Sequence, residues 1–320
     1  MPAVDKPLEE LQKYLGISPC PKDFDAFWDK SLAEQRATDP AVELIPSTTI
    51  QLKNTETFDL FFTGVGGSRV YAKYLRPKNS PDPHPAILAF HGYSGSGGEW
   101  QDYLSFVSEG YSVAVMDCRG QGGRSEDLGS VKGTTLRGHI MRGMDDSPEK
   151  LLFRQIFLDT AQLFRVVSSF DEVDETRIGS FGGSQGGALS VVCAALEPRI
   201  KRCVSLYPFL SDYKRVWEMG LDKNAYDDMR YYFMRFDPLH EREEEIFNRL
   251  GYIDIQNLAA RIKAEVLMCL TLADDICPPS TQFATFNKIQ SPKIGKIYPD
   301  YGHQTPPGFM DQMFNFFTKL

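Results

Sequence analysis

The rhythm of apolar and polar positions changes near residue 86. Upstream, apolar residues recur at helical spacing in two short stretches, Pro7 to Leu15 ended by Gly16, and a second from Lys22-Asp23 that carries Phe24, Phe27, Trp28 and Leu32. Both predict short amphipathic helices whose aromatics pack onto the body or a neighbouring subunit. Thr57 to Thr63 then alternates, Gly64 to Ser68 reads as a turn, and Val70 to Leu75 follows, a pattern of antiparallel strands at a sheet edge. From Ala86 onward the apolar runs are continuous: Ala86–Phe90, Ser112–Met116, Arg177–Ser180, Arg202–Leu206, Val266–Leu272 and Lys296–Tyr298. Segments of helix length separate them, which predicts βαβ units and a parallel sheet buried on both faces. The stretch from Tyr213 to Arg261 breaks this rhythm with charge and aromatics, among them Trp217, Tyr226, Tyr231, Tyr232, Phe233 and Phe236. It is expected to be a helical insertion over the carboxyl ends of the strands, where open α/β sheets bind ligands. The expected organisation is one α/β domain over residues 1–320, with a helical N-terminal extension (1–44) and a helical insertion (213–261).

Composition narrows the classes without choosing among them. At 320 residues with 42% hydrophobic and 24% charged positions, the chain is an ordinary globular sequence. A formal net charge of -8 gives no basic footprint for nucleic acid. No run approaches the roughly 20 apolar residues of a membrane span. Met1-Pro2-Ala3-Val4-Asp5-Lys6 has no apolar core of a secretory signal, so a cytoplasmic address is expected. Of the six cysteines, Cys118, Cys193, Cys203 and Cys269 lie in or beside apolar segments, whereas Cys20 and Cys277 each precede a proline in loop-like stretches. None forms a CxxC pair or a cluster with zinc spacing, so free thiols and no metal are expected.

The chemistry concentrates at Gly182-Gly183-Ser184-Gln185-Gly186-Gly187, between the strand Ile178–Phe181 and the helix Ala188–Leu196. A G-x-S-x-G at a strand-to-helix turn holds its serine in a strained, exposed conformation above a helix N-terminus. Such a nucleophile needs a base and an orienting acid, in the order Ser, acid, His. Two histidines follow Ser184: His240 falls in the charged insertion and reads as a surface residue, while His303 follows the last predicted strand. The acid belongs after Val266–Leu272, where Asp274 and Asp275 compete. Phe90-His91-Gly92-Tyr93 ends the first parallel strand, so the amides of Tyr93 and Gln185 are the expected oxyanion hole. His91 reads as a structural hydrogen-bonding residue of that loop.

Several motifs in order resemble one family. Pro21-Lys22-Asp23-Phe24, Arg119-Gly120-Gln121 followed by Ser125-Glu126-Asp127, Ser168 to Gly179, Gly183–Gly187, and Asp274 with Cys277-Pro278-Pro279-Ser280-Thr281 are similar to the acetyl xylan esterase and cephalosporin C deacetylase group, carbohydrate esterase family seven. The resemblance covers nearly the whole chain and implies the α/β-hydrolase fold. It selects Asp274 over Asp275, because the family's aspartate lies just upstream of Pro-Pro-Ser-Thr. It implies a cofactor-free serine esterase, with Ser184, His303 and Asp274 removing acetyl groups from xylo-oligosaccharides and cephalosporin C-like acetates. Arg119 and Gln121 are implied to tie their loop to the sheet, and Tyr207-Pro208 to limit the acyl pocket, with Tyr93 also at the substrate. A cytoplasmic homohexamer, a trimer of dimers, is implied as well. Two positions depart from the family: Gln304 replaces a usual Glu after the histidine, and Ser94-Gly95-Ser96-Gly97-Gly98 is richer in glycine. The competing readings are a peptidase or general short-chain carboxylesterase on the same fold, or a non-catalytic binding protein. The first would cleave peptide or longer acyl substrates without preferring acetate; the second has no physical need for Ser184, Asp274 and His303 together.

Overall fold

The computed structural model describes residues 4–80, 83–133 and 138–320. Met1, Pro2 and Ala3, part of the N-terminal reading above, lie outside them. Among the described residues one nine-stranded sheet has the order β1-β2-β3-β5-β4-β6-β7-β8-β9. The strands are β1 (Glu43–Pro46), β2 (Thr55–Thr63), β3 (Arg69–Pro77), β4 (His84–Phe90), β5 (Ser112–Met116), β6 (Val173–Gly183), β7 (Arg202–Leu206), β8 (Glu265–Thr271) and β9 (Lys293–Tyr298). From β5 to β9 every pairing is parallel, and β1, β2 and β3 add an antiparallel edge. Strand order reverses at β4, flanked by β5 and β6, and the crevice at such a reversal is where α/β sheets hold ligands. The continuous apolar runs of β5 and β8 are buried almost throughout, as strands covered on both faces must be.

The helices are α1 (Leu8–Leu11), α2 (Phe24–Ala37), α3 (Leu104–Ser108), α4 (Leu152–Val167), α5 (Gln185–Leu196), α6 (Tyr213–Glu218), α7 (Asp227–Phe236), α8 (Glu243–Leu250), α9 (Ile255–Leu258), α10 (Pro279–Lys288) and α11 (Phe309–Phe317). Every residue of α5 is buried, the polar Gln185 and Ser190 included, so this helix lies inside the body. On α2, Phe24, Phe27, Trp28 and Leu32 are buried as their spacing predicts. Trp28 stacks on Phe157 of α4 at 5.9 Å and donates its Nε1–H to the Tyr252 carbonyl at 3.0 Å. Residues 213–261 hold α6 to α9. No helix among the described residues is long and apolar enough to cross a membrane.

Three expectations need correction. The first helix stops at Leu11, not Leu15: Asn287 donates to the Leu11 and Tyr14 carbonyls at 2.9 and 2.8 Å, and Leu15 is exposed, so no apolar face remains to extend the helix. Strand β1 escaped the reading because its largely exposed residues carry no alternating pattern. Arg119 does not tie its loop to the sheet. Its guanidinium forms a two-point pair with Asp159 of α4 at 2.7 and 2.6 Å and donates to the Val65 carbonyl at 3.0 Å. The pair is fully buried, and desolvation raises the Asp159 pKa even though Arg119 opposes it.

Candidate active site

Ser184 follows β6 and caps α5, with φ 57° and ψ −120°. A non-glycine residue in this conformation is strained, and strain of this kind clusters at functional sites. The surrounding contacts hold it: the Ser184 amide donates to Leu206 O at 3.0 Å, and its carbonyl accepts from Phe209 N at 3.1 Å. Such a tight turn demands close backbone approach. A Cβ on Gly186 would meet Phe90 O at 2.0 Å, and one on Gly182 would meet Gly186 C at 2.4 Å.

The structure brings His303 and Asp274 to this serine. Ser184 Oγ lies 2.9 Å from His303 Nε2, and His303 Nδ1 lies 2.9 Å from Asp274 Oδ2. A carboxylate only accepts, so Nδ1 carries the proton and Nε2 is free to accept from the serine hydroxyl. Asp274 is fully buried, whereas its rival Asp275 is exposed. Its oxygens are surrounded by donors: Oδ1 accepts from the Ile276 and Cys277 amides, and Oδ2 from Thr271 Oγ1–H, Gln282 Nε2 and His303. Asp274, Cys277 and His303 also offer ligand atoms within 4.8 Å of one another. Both carboxylate oxygens already accept from these donors, which suits a hydrogen-bonded acid better than a metal ligand. His240 stays outside the site, half-exposed and stacked on Phe233.

The loop after β4 supplies the other wall. Neither the Tyr93 amide nor the Gln185 amide donates to an acceptor among the described residues, so both are available to an incoming oxyanion. The side chains around them are locked. Gln121 Nε2 donates to Gln185 Oε1 at 2.8 Å while Gln121 Oε1 accepts from the Ser94 amide at 2.9 Å. His91 is structural here: Nδ1 faces Gly92 O at 2.7 Å and Nε2 accepts from Cys118 N at 2.9 Å, while burial lowers its pKa. The Tyr93 hydroxyl accepts from His139 N at 3.0 Å, and burial raises its pKa beyond any physiological range.

These groups open onto a cavity of about 470 Å³ lined by Gly92, Tyr93, Gly95, Ser184, Asn224, Ala225, Ile276 and His303. Asn224 and Ala225 come from the insertion, which thus reaches the strand carboxyl ends. Tyr207 and Pro208 are buried and are not among the lining residues. Tyr207 instead backs His303: the ring centroids are 4.8 Å apart, and its hydroxyl bonds Thr305 Oγ1 at 2.9 Å.

All 320 residues match one family model, that of acetyl xylan esterase (AXE1). The chain belongs to the acetyl xylan esterase family. Acetyl xylan esterase 1 from Thermoanaerobacterium sp. JW/SL YS485 is 55% identical, and its structure superposes with a TM-score of 0.97, covering 98% of this chain and 99% of that one. Acetyl esterase Axe7A from Xylanibacter ruminicola is 28% identical over 298 residues, 89% of this chain. The chain spans 64% and 61% of the lengths of the curated relatives it matches. At 16% identity, the α/β hydrolase GrgF from Penicillium sp. sh18 keeps a TM-score of 0.57, covering 82% of this chain and 97% of that one, a likeness of fold alone.

The two departures of this acetyl xylan esterase family member acquire a physical reading. Gln304 is exposed, and the histidine loop is held by the Tyr207–Thr305 bond and by Ala273 N donating to Tyr301 O at 3.0 Å. The glycine-rich loop is tied down as well: Gly97 N donates to Asp117 Oδ1 at 2.7 Å, and Ser94 Oγ lies 3.1 Å from His139 Nε2. Sequence reasoning passed over two residues. Cys277, read as a loop cysteine, is fully buried beside the site; burial first, then Asp274, raise its thiol pKa well above normal, so it stays protonated. Its position three residues after Asp274 was the available signal. Gln282, in the first turn of α10, carried no signal, since glutamine at a helix start usually faces solvent.

Proposed function

We propose that this chain is a serine carboxylesterase that removes acetyl groups from small acetylated carbohydrates, xylo-oligosaccharides foremost, through an acyl-enzyme. The observation that carries this reading is the unbroken chain of contacts Ser184–His303–Asp274 at 2.9 Å each, beside two amides that have no acceptor among the described residues. Family membership supplies the acetyl group. In the proposed sequence Ser184 Oγ attacks the acetyl carbonyl while His303 Nε2 takes its proton, and Asp274 stabilises the imidazolium. The tetrahedral oxyanion accepts from the amides of Tyr93 and Gln185. Collapse breaks the ester C–O bond, and His303 returns its proton to the leaving sugar hydroxyl. Water, deprotonated by His303, then releases acetate and regenerates Ser184.

Tyr93 is proposed to line the acyl site, and Tyr207 with Pro208 to close it from behind, at one remove from the cavity. Cephalosporin C-like acetates fit the same chemistry, since only the acetyl group need enter. We further propose a single functional unit over residues 1–320, acting in the cytoplasm as a homohexamer built from dimers; the family resemblance supports these last points. A panel of acetylated xylobiose, p-nitrophenyl acetate, p-nitrophenyl butyrate and a peptide anilide tests the substrate class. Acetate release from acetylated xylobiose with little butyrate turnover is expected. Peptide cleavage without acetate release would refute the esterase reading.

A further inference from the structure

Helix α10 begins four residues after the Asp274–Asp275 turn, and its own N-cap, Pro278, has no side-chain cap. The missing acceptor comes from the far end of the chain. Asp5 Oδ2 accepts from Ser280 N at 2.7 Å, and Asp5 Oδ1 accepts from Arg215 of α6 at 2.7 Å. Arg215 Nε also donates to Ser280 Oγ at 3.2 Å, so the N-terminal arm, α6 and α10 meet at one carboxylate. The Asp5 side chain is 1% exposed. Burial alone would raise its pKa, yet the bonds from Ser280 and Arg215 outweigh it and hold the carboxyl below its usual value.

The arm is tied again further along. Asp212 accepts from the Ile17 and Ser18 amides at 3.0 and 2.8 Å and from the Tyr14 hydroxyl at 2.7 Å. Asn287, near the end of α10, holds the Leu11 and Tyr14 carbonyls. The arm therefore runs alongside α10, fixed near both of its ends.

One turn of α10 links this strap to the chemistry. Gln282, two residues beyond Ser280, is fully buried and donates to Cys277 O at 2.7 Å and to Asp274 Oδ2 at 3.4 Å. It also accepts from Thr271 N at 3.0 Å at the end of β8. Both sides of the Asp274 turn are thus held by a side chain whose helical turn is capped by Asp5. We infer that Asp5 is a positioning residue for the reaction: it fixes the first turn of α10, and through Gln282 the Asp274 carboxylate that orients His303. The inference rests on the catalytic reading of Ser184, His303 and Asp274. Its physical basis is that catalysis depends steeply on the placement of the reacting groups, whereas ground-state binding in an open cavity does not.

The test compares wild type with Asp5→Ala by four readouts: melting temperature, kcat and KM for p-nitrophenyl acetate well below melting, and the low-field proton resonance of His303 Nδ1–H. A fall in kcat on the order of tenfold is expected, with KM little changed and the resonance shifted or broadened. A variant that melts lower but keeps kcat and the resonance would reduce Asp5 to a purely structural role and overturn the inference. Should Asp5→Ala not fold, Asp5→Asn, which keeps one acceptor but loses the charge facing Arg215, is judged by the same two outcomes. Ser184→Ala measured alongside separates the two claims: activity surviving that change would remove the catalytic reading itself, whatever Asp5 does.

Discussion

Replacing Asp274 with asparagine exposes how the site controls a single proton. Five donors surround the carboxylate: the Ile276 and Cys277 amides at Oδ1, and Thr271, Gln282 and His303 at Oδ2. An asparagine must turn its NH₂ toward one of these groups. The two backbone amides cannot reverse, so the side-chain oxygen stays at the Oδ1 position and the NH₂ faces His303. His303 then has to accept through Nδ1, which moves its proton to Nε2. Nε2–H now points at Ser184 Oγ as a donor, and the serine has lost its base. The expected loss in kcat is about 10³–10⁴, the size seen when a triad aspartate is amidated and the tautomer reversed. Stability should fall by only about 1–3 kcal/mol, the cost of one mismatched buried polar contact. Stopped-flow hydrolysis of p-nitrophenyl acetate on the folded variant measures the rate, and thermal melting reads the stability. A folded Asp274→Asn protein within about tenfold of wild-type kcat would refute this proton logic.

Further outcomes follow from the neighbouring contacts. Tyr207→Phe deletes the bond to Thr305 while keeping the ring against His303, so kcat should fall by a few-fold, of order 1 kcal/mol, with KM for acetyl esters unchanged; a large rise in KM would instead mark Tyr207 as a substrate contact. Asp228, buried at the start of α7, has its pKa raised to about 7 by desolvation, against bonds from the Met141 and Ile140 amides. The folded protein then keeps a proton that the unfolded chain releases near pH 4, so this contribution is full below pH 4 and is lost as pH rises toward 7. Melting curves from pH 4 to 8 should therefore show wild type losing stability relative to Asp228→Asn, by at most on the order of 4 kcal/mol; parallel curves would contradict the assignment.

Much of this molecule is written in local pattern. Most of the parallel strands announced themselves because burial on both faces demands continuous apolar runs, although the edge strand β9 has no buried residue, and Ser184 did so because a strained turn demands glycines at fixed offsets. Their lengths did not: β6 starts at Val173 and β9 at Lys293, where polar residues continue the ladder. His303 was legible from its place after the last strand, whereas Asp274 could not be told from Asp275 by local pattern. Their difference lies in burial, set by α10 and the amides of residues 276 and 277. The Arg119–Asp159 pair and the Asp5–Ser280 cap join residues 40 and 275 positions apart, and no periodicity encodes such a contact. The N-terminal arm accordingly reads as a helix running to Leu15 in sequence, and in the structure it is a one-turn helix that continues as a strap.

The claim that Ser184 carries the acetyl group is tested most directly by rapid-quench intact-mass analysis during turnover of p-nitrophenyl acetate. Wild type should gain one acetyl group per chain, mapped to the peptide containing Ser184, and Ser184→Ala should gain none while losing acetate release. Turnover that persists in Ser184→Ala, or an acetyl group mapped to another residue, would contradict the assignment of Ser184 as nucleophile.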